Sequence, residues 1–312
     1  MERDLLKIYM STVNKYIIIS PARDEEELIE YTLKSVIRQT IKPLEYIIVN
    51  DGSSDGTGKI IEGYSKDHPW IRVIDLPDRG YYTYGNGIIT AFNKGLDEVN
   101  KKDYEFIVKL DCDLSFDEHY FENLLRQFSL DEKLGIASGQ TYFLNGKNRL
   151  VWEDAPLDHT VGPCKVYRKE CFRDINGLVV SLGWDHIDEV AARMNGWRTR
   201  SYPEYKLLHH RIMGSRLGIL RGNMRHGHAD YITGYHVPYF MIKSFYRLFT
   251  KPYLVGSMAS FYGFFKNYFI GEKRIVNKEF RIYYRREQIR KLVQKKFWKL
   301  YLEKYGITKK IL

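Results

Sequence analysis

Leu44-Glu45-Tyr46-Ile47-Ile48-Val49, running straight into Asn50-Asp51-Gly52-Ser53-Ser54-Asp55-Gly56-Thr57, decides how this chain folds. The first six residues form the apolar run expected of a buried parallel strand, and the next eight a polar turn opening a helix from about Thr57 to Lys66. The alternation recurs on either side. Upstream, Tyr16-Ile17-Ile18-Ile19-Ser20 predicts a strand, and Asp24 to Arg38 carries Leu28, Thr32, Leu33, Val36 and Ile37 at helical spacing before Pro43. Downstream, Ile71–Ile74 predicts a third strand, Gly87–Asn100 a third helix and Glu105–Leu110 a fourth strand. Strand alternating with helix implies βαβ units and a mainly parallel α/β sheet. Such sheets bind ligands beyond the carboxyl ends of their strands, where each polar turn lies.

The pattern loosens beyond residue 115. A helix around His119–Phe128, a strand over Gly135–Tyr142, a helix from Asp185 to Asn195 ended by Gly196, and a strand over Tyr205–Leu208 are expected. Residues 238–270 are aromatic and apolar, yet Lys251 and Lys266 bracket only the 14 residues Pro252–Phe265. That is short of the ~20 needed to span a bilayer, so the segment reads as interfacial or core.

Composition excludes several classes. In 312 residues, 44% hydrophobic and 28% charged side chains describe a globular protein and exclude a disordered or collagen-like one. Cys112, Cys164 and Cys171 are too few for a disulfide framework and wrongly spaced for zinc, which fits a cytoplasmic compartment. The net charge of +10 is localised: residues 271–312 hold 14 Lys and Arg against 4 Asp and Glu, while the preceding 270 hold 35 of each. Phosphate contacts would be confined to one tail, which argues against a nucleic-acid binder. Arg281, Arg285, Arg286, Arg290, Lys291, Lys295 and Lys296, with Ile282, Ile289, Leu292, Val293, Phe297 and Leu300 at helical spacing, predict a basic amphipathic helix suited to an anionic membrane surface. A helix packed on the catalytic domain with its basic face in solvent is the alternative.

Asp111-Cys112-Asp113, after the fourth strand, is the strongest chemical signal. Two carboxylates flanking one residue at a strand end can share Mg2+ or Mn2+ while the cation grips a diphosphate, although such pairs also cap turns. Asp51 can meet the base or ribose of a nucleotide, although Asp, Gly and Ser are also what a tight turn and helix N-cap require. Gly80-Tyr81-Tyr82-Thr83-Tyr84-Gly85-Asn86-Gly87 can bring backbone N–H groups near phosphate. It is neither a Walker loop nor a Gly-x-Gly-x-x-Gly fingerprint, which disfavours kinases and dehydrogenases.

Together, Ser20-Pro21-Ala22-Arg23-Asp24-Glu25, Ser35-Val36-Ile37-Arg38-Gln39-Thr40, Val49 to Thr57, Ala91-Phe92-Asn93-Lys94-Gly95 and Asp111-Cys112-Asp113 resemble glycosyltransferase family 2, over about residues 15–210. The resemblance implies the GT-A fold, a nucleotide-sugar donor, a divalent metal and inversion at the anomeric carbon. Pro21, Ala22, Arg23, Glu25, Asp51, Gly85, Asn93, Asp111 and Cys112 would line the nucleotide site. Asp113 and Asp111 would hold the metal, and a His of the kind the family carries here would be His209 or His210. Inverting transfer needs a general base, which the family supplies as Glu-Asp at a helix start. Here Gly183-Trp184-Asp185-His186-Ile187-Asp188-Glu189 stands in that place without the pair, leaving Asp185 or Asp188, with Asp185 favoured. Glu153-Asp154 sits in a loop before Pro156 and reads as a decoy.

The expected organisation is a catalytic domain over 1–235, with a nucleotide-sugar half at about 15–115 and an acceptor half at 116–235. A helical, membrane-associating extension follows over 236–312. The expected activity is transfer from a UDP-sugar, with GDP and dTDP open, to a glycan or lipid-linked acceptor at the inner face of the cell membrane. A sugar nucleotidyltransferase lacks support, because no Gly-rich loop with a following Arg and Lys lies near the first strand. An inactive family member is the reading that the missing Glu-Asp pair motivates. The absence of Gln-x-x-Arg-Trp and of a multi-pass region disfavours a cellulose- or chitin-type synthase.

Overall fold

The structure, a computed structural model, describes residues 15–80, 85–144, 149–152, 156–211, 218–248 and 253–293. It divides into two compact units, residues 1–212 and 213–312.

In the first unit, β1 (Tyr16–Ala22), α1 (Ile29–Arg38), β2 (Glu45–Asp51), α2 (Thr57–Asp67), β3 (Ile71–Leu76), α3 (Asn86–Asp97) and β4 (Phe106–Leu110) follow the expected alternation. They are continued by β5 (Leu114–Phe116), α4 (Tyr120–Leu130), β6 (Leu134–Leu144), β7 (Leu150–Trp152), β8 (Cys164–Arg168), α5 (Lys169–Asp174), α6 (Trp184–Met194) and β9 (Arg198–His209). The sheet runs β3-β2-β1-β4-β8-β6-β9-β5, with β7 paired to β6. The first four strands are mutually parallel, β8 runs antiparallel to β4, and β6 is parallel to β9.

Both faces of the sheet are covered, which is why β1 and β2 are apolar throughout rather than alternating. Tyr16 and Ile18 point into a core with Leu33, Val36 and Ile61 of α1 and α2. Ile17 and Ile19 point the other way, to Ile89 and Phe92 of α3. Gly95 brings α3 down onto the strands: a Cβ there would sit 2.7 Å from Ile19 Cγ2 and 2.8 Å from Val49 Cγ2. The three cysteines are free and buried.

Several expectations change. The first helix begins at Ile29, not Asp24, because the Asp24–Glu26 backbone is tied to the turn after β2. Asp24 adopts φ 52°, and its carboxylate accepts from Ser54 N at 2.8 Å. Glu25 N donates to Thr57 Oγ1 at 2.8 Å, and Gly56 N to the Glu26 carboxylate at 2.6 Å. The expected unit boundary near 235 lies instead at 212/213, since α7 (Ile219–Ile232) packs on α9 (Tyr253–Phe269). That contact is made by glycines: a Cβ on Gly227 would meet Ser260 O at 1.8 Å, and one on Gly263 would meet Met224 O at 2.0 Å.

α8 (Val237–Arg247) and α10 (Lys278–Val293) complete the second unit. Among the described residues no helix is long and apolar enough to cross a membrane. The apolar stripe expected along α10 is not its packed face. Phe280, Tyr284 and Gln288 are buried, whereas Ile282, Ile289 and Val293 are exposed. Tyr284 meets Tyr235 edge-on at 5.3 Å, and Gln288 accepts from His236 N at 2.8 Å, so aromatic packing and one buried amide bond choose the face. Tyr81–Tyr84, Glu153-Asp154, Lys295, Lys296, Phe297 and Leu300 lie outside the described residues.

Gly95→Leu overpacks the junction of α3 with the sheet. A loss of about 1–3 kcal/mol is expected, read as a lower thermal unfolding midpoint of the first unit.

Candidate active site

The carboxyl ends of β1, β2 and β4 converge on one cleft, lined by Pro21, Ala22, Arg23, Glu25, Asp51, Arg79, Ile88, Asp111, Cys112, Asp113 and Arg211. Most residues of the polar turn after β2 hold that turn together rather than facing the cleft. Ser53 Oγ accepts from Asp24 N at 3.1 Å, and Asp55 accepts from Thr57 N at 3.0 Å. Asp51 is the residue of the turn that lines the cleft. Burial raises its carboxyl, against the pull of Arg79 and Arg23. Arg79 bonds the Asp51 carboxylate, while Arg23 donates to Asp51 O at 2.7 Å and to Asp78 Oδ1 at 2.6 Å.

Asp111 and Asp113 experience different surroundings. Burial pushes Asp111 up despite the Lys109 ammonium bonded to it. Burial acts on Asp113 too, but His209, Arg211 and Lys109 outweigh it and hold that carboxyl below the ordinary value. Asp113 Oδ2 lies 3.4 Å from His209 Nε2 and 3.8 Å from Arg211, whose guanidinium grips Glu25 bidentately at 2.8 and 2.7 Å. Asp113 Oδ1 is buried without a hydrogen-bond partner. A buried carboxylate oxygen left without a donor, beside an imidazole, suits a hard divalent cation. Cys112, its thiol raised well above the ordinary value by burial, contacts Pro21 O at 3.5 Å between the two aspartates.

The two histidines part company. His209 reaches Asp113, whereas His210 bonds Ser115 Oγ at 2.9 Å and stacks on Tyr31 at 3.9 Å, so the structure does not bring the His210 ring to the carboxylates. Asn93 lies on α3 outside the cleft lining. Gly85, φ 69°, starts α3 against Ser181 and Leu182, also outside that lining.

Asp185 and Asp188 also separate. Asp188 is 3% exposed; Lys165 reaches its two oxygens at 3.0 and 2.9 Å, and Tyr167 OH donates at 2.6 Å. With both oxygens occupied it anchors α6 and is no candidate base. Asp185, half-buried in the first turn of α6, lies beside Gly162, where a Cβ would be 3.6 Å from its Oδ2. Burial raises its carboxyl, but His186, Lys165 and His159 outweigh that and keep it ionised.

A pair of buried lysines joins the two groups of acids. Lys109 and Lys165 are cross-strand partners on β4 and β8, and both lie over the Trp184 ring, at 5.2 and 5.3 Å. Lys109 bonds Asp111 and donates to Gly162 O at 3.0 Å. Lys165 donates to Asp185 O at 2.6 Å as well as to Asp188. His159, His186 and Glu189 offer ligand atoms within 4.8 Å of one another. Glu189, however, already accepts from Thr160 N and Oγ1, both at 2.6 Å, and from Lys165 at 3.3 Å, so the cluster is a satisfied hydrogen-bond network.

Sequence reading missed Arg79, Arg211, Lys109 and Lys165. Asp78-Arg79 follows the third parallel strand at its carboxyl end, a position that could have drawn notice. Lysines inside apolar runs carried no comparable signal.

A family model described as Glycosyl transferase family 2 matches residues 17–179, more than half of the chain. Over 122 residues the chain is 31% identical to the poly-beta-1,6-N-acetyl-D-glucosamine synthase of Staphylococcus epidermidis and 30% identical to that of Staphylococcus aureus strain COL. The match takes in 39% of this chain and 27% of each relative, so the chain spans about a quarter of their length. Among solved structures, S. aureus TarS residues 1–349 superposes with a TM-score of 0.53 at 17% identity, covering 81% of this chain and 80% of that one. The mannosyltransferase PcManGT of Pyrobaculum calidifontis, solved with GDP-Man and Mn2+, gives 0.54 at 14% identity, covering 94% and 86%. These likenesses establish the GT-A architecture.

Lys165→Met leaves Asp188 and Glu189 buried without their cation. A loss of about 3–5 kcal/mol is expected, measured by denaturant unfolding. Despite its burial, Glu189 is held well below the ordinary carboxylate range by Lys165 and His159. Its contribution to stability is present above the unfolded value and lost as pH falls towards the folded one, so Glu189→Gln flattens the acid limb of a stability–pH curve.

Proposed function

Since the chain belongs to glycosyltransferase family 2, we propose that it transfers a sugar, with inversion, from a nucleotide-diphosphate donor to a glycan or lipid-linked acceptor in cell-surface polysaccharide synthesis. The observation carrying this reading is the convergence of Asp51, Asp111 and Asp113 with Arg23, Arg79 and Arg211 in one cleft at the strand ends. Asp51 takes the base or ribose of the nucleotide. The arginines supply charge for a diphosphate, a role their planar forks suit. Asp113 with His209, and Asp111, would hold Mn2+ or Mg2+, which when bound neutralises charge on the departing diphosphate. UDP is the favoured nucleotide. A peripheral place on the inner face of the cell membrane, through the second unit, belongs to the same reading.

Asp185 is the general base. It removes the proton of the acceptor hydroxyl as that oxygen attacks the anomeric carbon, and the bond from that carbon to the diphosphate oxygen breaks on the opposite side. The nucleoside diphosphate leaves with the electron pair. Ionised at neutral pH, Asp185 is ready to accept, and Lys165 fixes its main-chain carbonyl.

Calorimetry with UDP, GDP and dTDP, with and without Mn2+, tests the donor site. One nucleotide is expected to bind in a metal-dependent way, and Asp113→Ala to weaken it at least ~10-fold. Binding of none would overturn the assignment. Asp185→Asn is expected to lower turnover by about 10²–10⁴-fold with donor affinity unchanged. Full turnover in this variant would remove Asp185 from its role.

A further inference from the structure

The outward faces of α8 and α9 form an apolar groove of about 760 Å3, walled by Met241, Phe245, Leu248, Met258, Phe261 and Phe269. These are large side chains in open solvent: Phe245 is 58% exposed, Met258 67% and Phe269 80%. A contiguous apolar surface of this kind marks an interaction site. It arises because the side of α9 that meets α7 carries small residues, Ser260 and Gly263, which let α7 approach backbone to backbone and leave the aromatic bulk facing out.

Charge selects the occupant. From Tyr231 to Gly271 there is no Asp or Glu; Lys243 is paired with Asp230 at 3.1 Å, and Arg247, Lys251 and Lys266 fall in the same stretch. Lys266 lines the groove itself. A second copy of the chain seated on the groove would oppose lysine to lysine with no carboxylate between them. An anionic bilayer leaflet meets both demands, headgroups facing the cations and acyl chains receiving the aromatic and Met side chains. Neither α8 nor α9 is long enough to cross.

We infer that the α8–α9 groove is a membrane-docking face, on which the second unit lies in the plane of an anionic leaflet. This refines the peripheral location proposed above by moving the contact from the amphipathic helix expected near the C-terminus to the aromatic pair of helices before it. It depends on that location and not on the donor site.

Flotation of the full chain with phosphatidylcholine vesicles, with or without 30% phosphatidylglycerol (about a third anionic lipid), tests it. Binding is expected to the anionic vesicles and to weaken with added salt. Phe245→Glu and Met258→Glu are each expected to reduce the bound fraction at least ~10-fold, and the uncharged Phe245→Gln to reduce it in the same direction. Circular dichroism confirms that each variant is folded, and UDP affinity, a property of the first unit, is unchanged. Three results would overturn the inference: no binding of the parent chain to anionic vesicles, equal binding by folded variants, which would assign the contact to the basic tail, or a dimer in light scattering that the variants dissolve while vesicle binding persists. UDP binding with vesicle binding lost refutes the docking face alone; the reverse refutes the donor site alone.

Discussion

Lys109 and Lys165 stand directly opposite each other on neighbouring strands, both fully buried, and both ammonium groups lie over one tryptophan ring. Like charges in that position repel, and each ammonium has given up its water. The arrangement persists only if anions lie within bonding distance on either side. Asp111 answers Lys109; Asp188, Glu189 and the Asp185 carbonyl answer Lys165. The fold therefore requires carboxylates at the end of β4 and at the start of α6 before any ligand arrives. The same two places are where a donor's diphosphate and an acceptor's hydroxyl would have to meet.

That constraint divides the acids by task. Asp188 and Glu189 have their oxygens filled by neighbours and hold α6 to β8. Asp51 and Asp113 meet arginines, and one Asp113 oxygen is left without a donor. Asp185 keeps its main chain anchored and its side chain only half-buried. In the second unit, facing glycines on α7 and α9 bring two helices close, which sends the aromatic surface outward.

The parallel half of the sheet was legible because each strand is buried on both faces and so is continuously apolar, as in Ile17-Ile18-Ile19 and Ile47-Ile48-Val49. The donor cleft was legible for the same reason: its residues follow those strands directly. β5 and β8 were not: β5 has only three residues, and β8, Cys164-Lys165-Val166-Tyr167-Arg168, is broken by two basic residues and so offers no continuous apolar run. Asp185 and Asp188, one turn apart, could not be told apart by spacing, because the difference lies in Lys165 and Tyr167, more than fifteen residues away. Arg211 likewise reaches Glu25 across 186 positions. On α10 the aliphatic period was real, but Phe280, Tyr284 and Gln288 supplied a competing face with better partners.

A crystal of the chain soaked with Mn2+ and UDP, read by anomalous scattering at the manganese edge, tests the donor site at the atoms that would form it. One strong peak is expected beside Asp113 Oδ1 and His209, with the diphosphate between it and the arginines of the cleft. A nucleotide bound with its phosphates away from Asp113, or manganese found at His159, His186 and Glu189 instead, would contradict that placement.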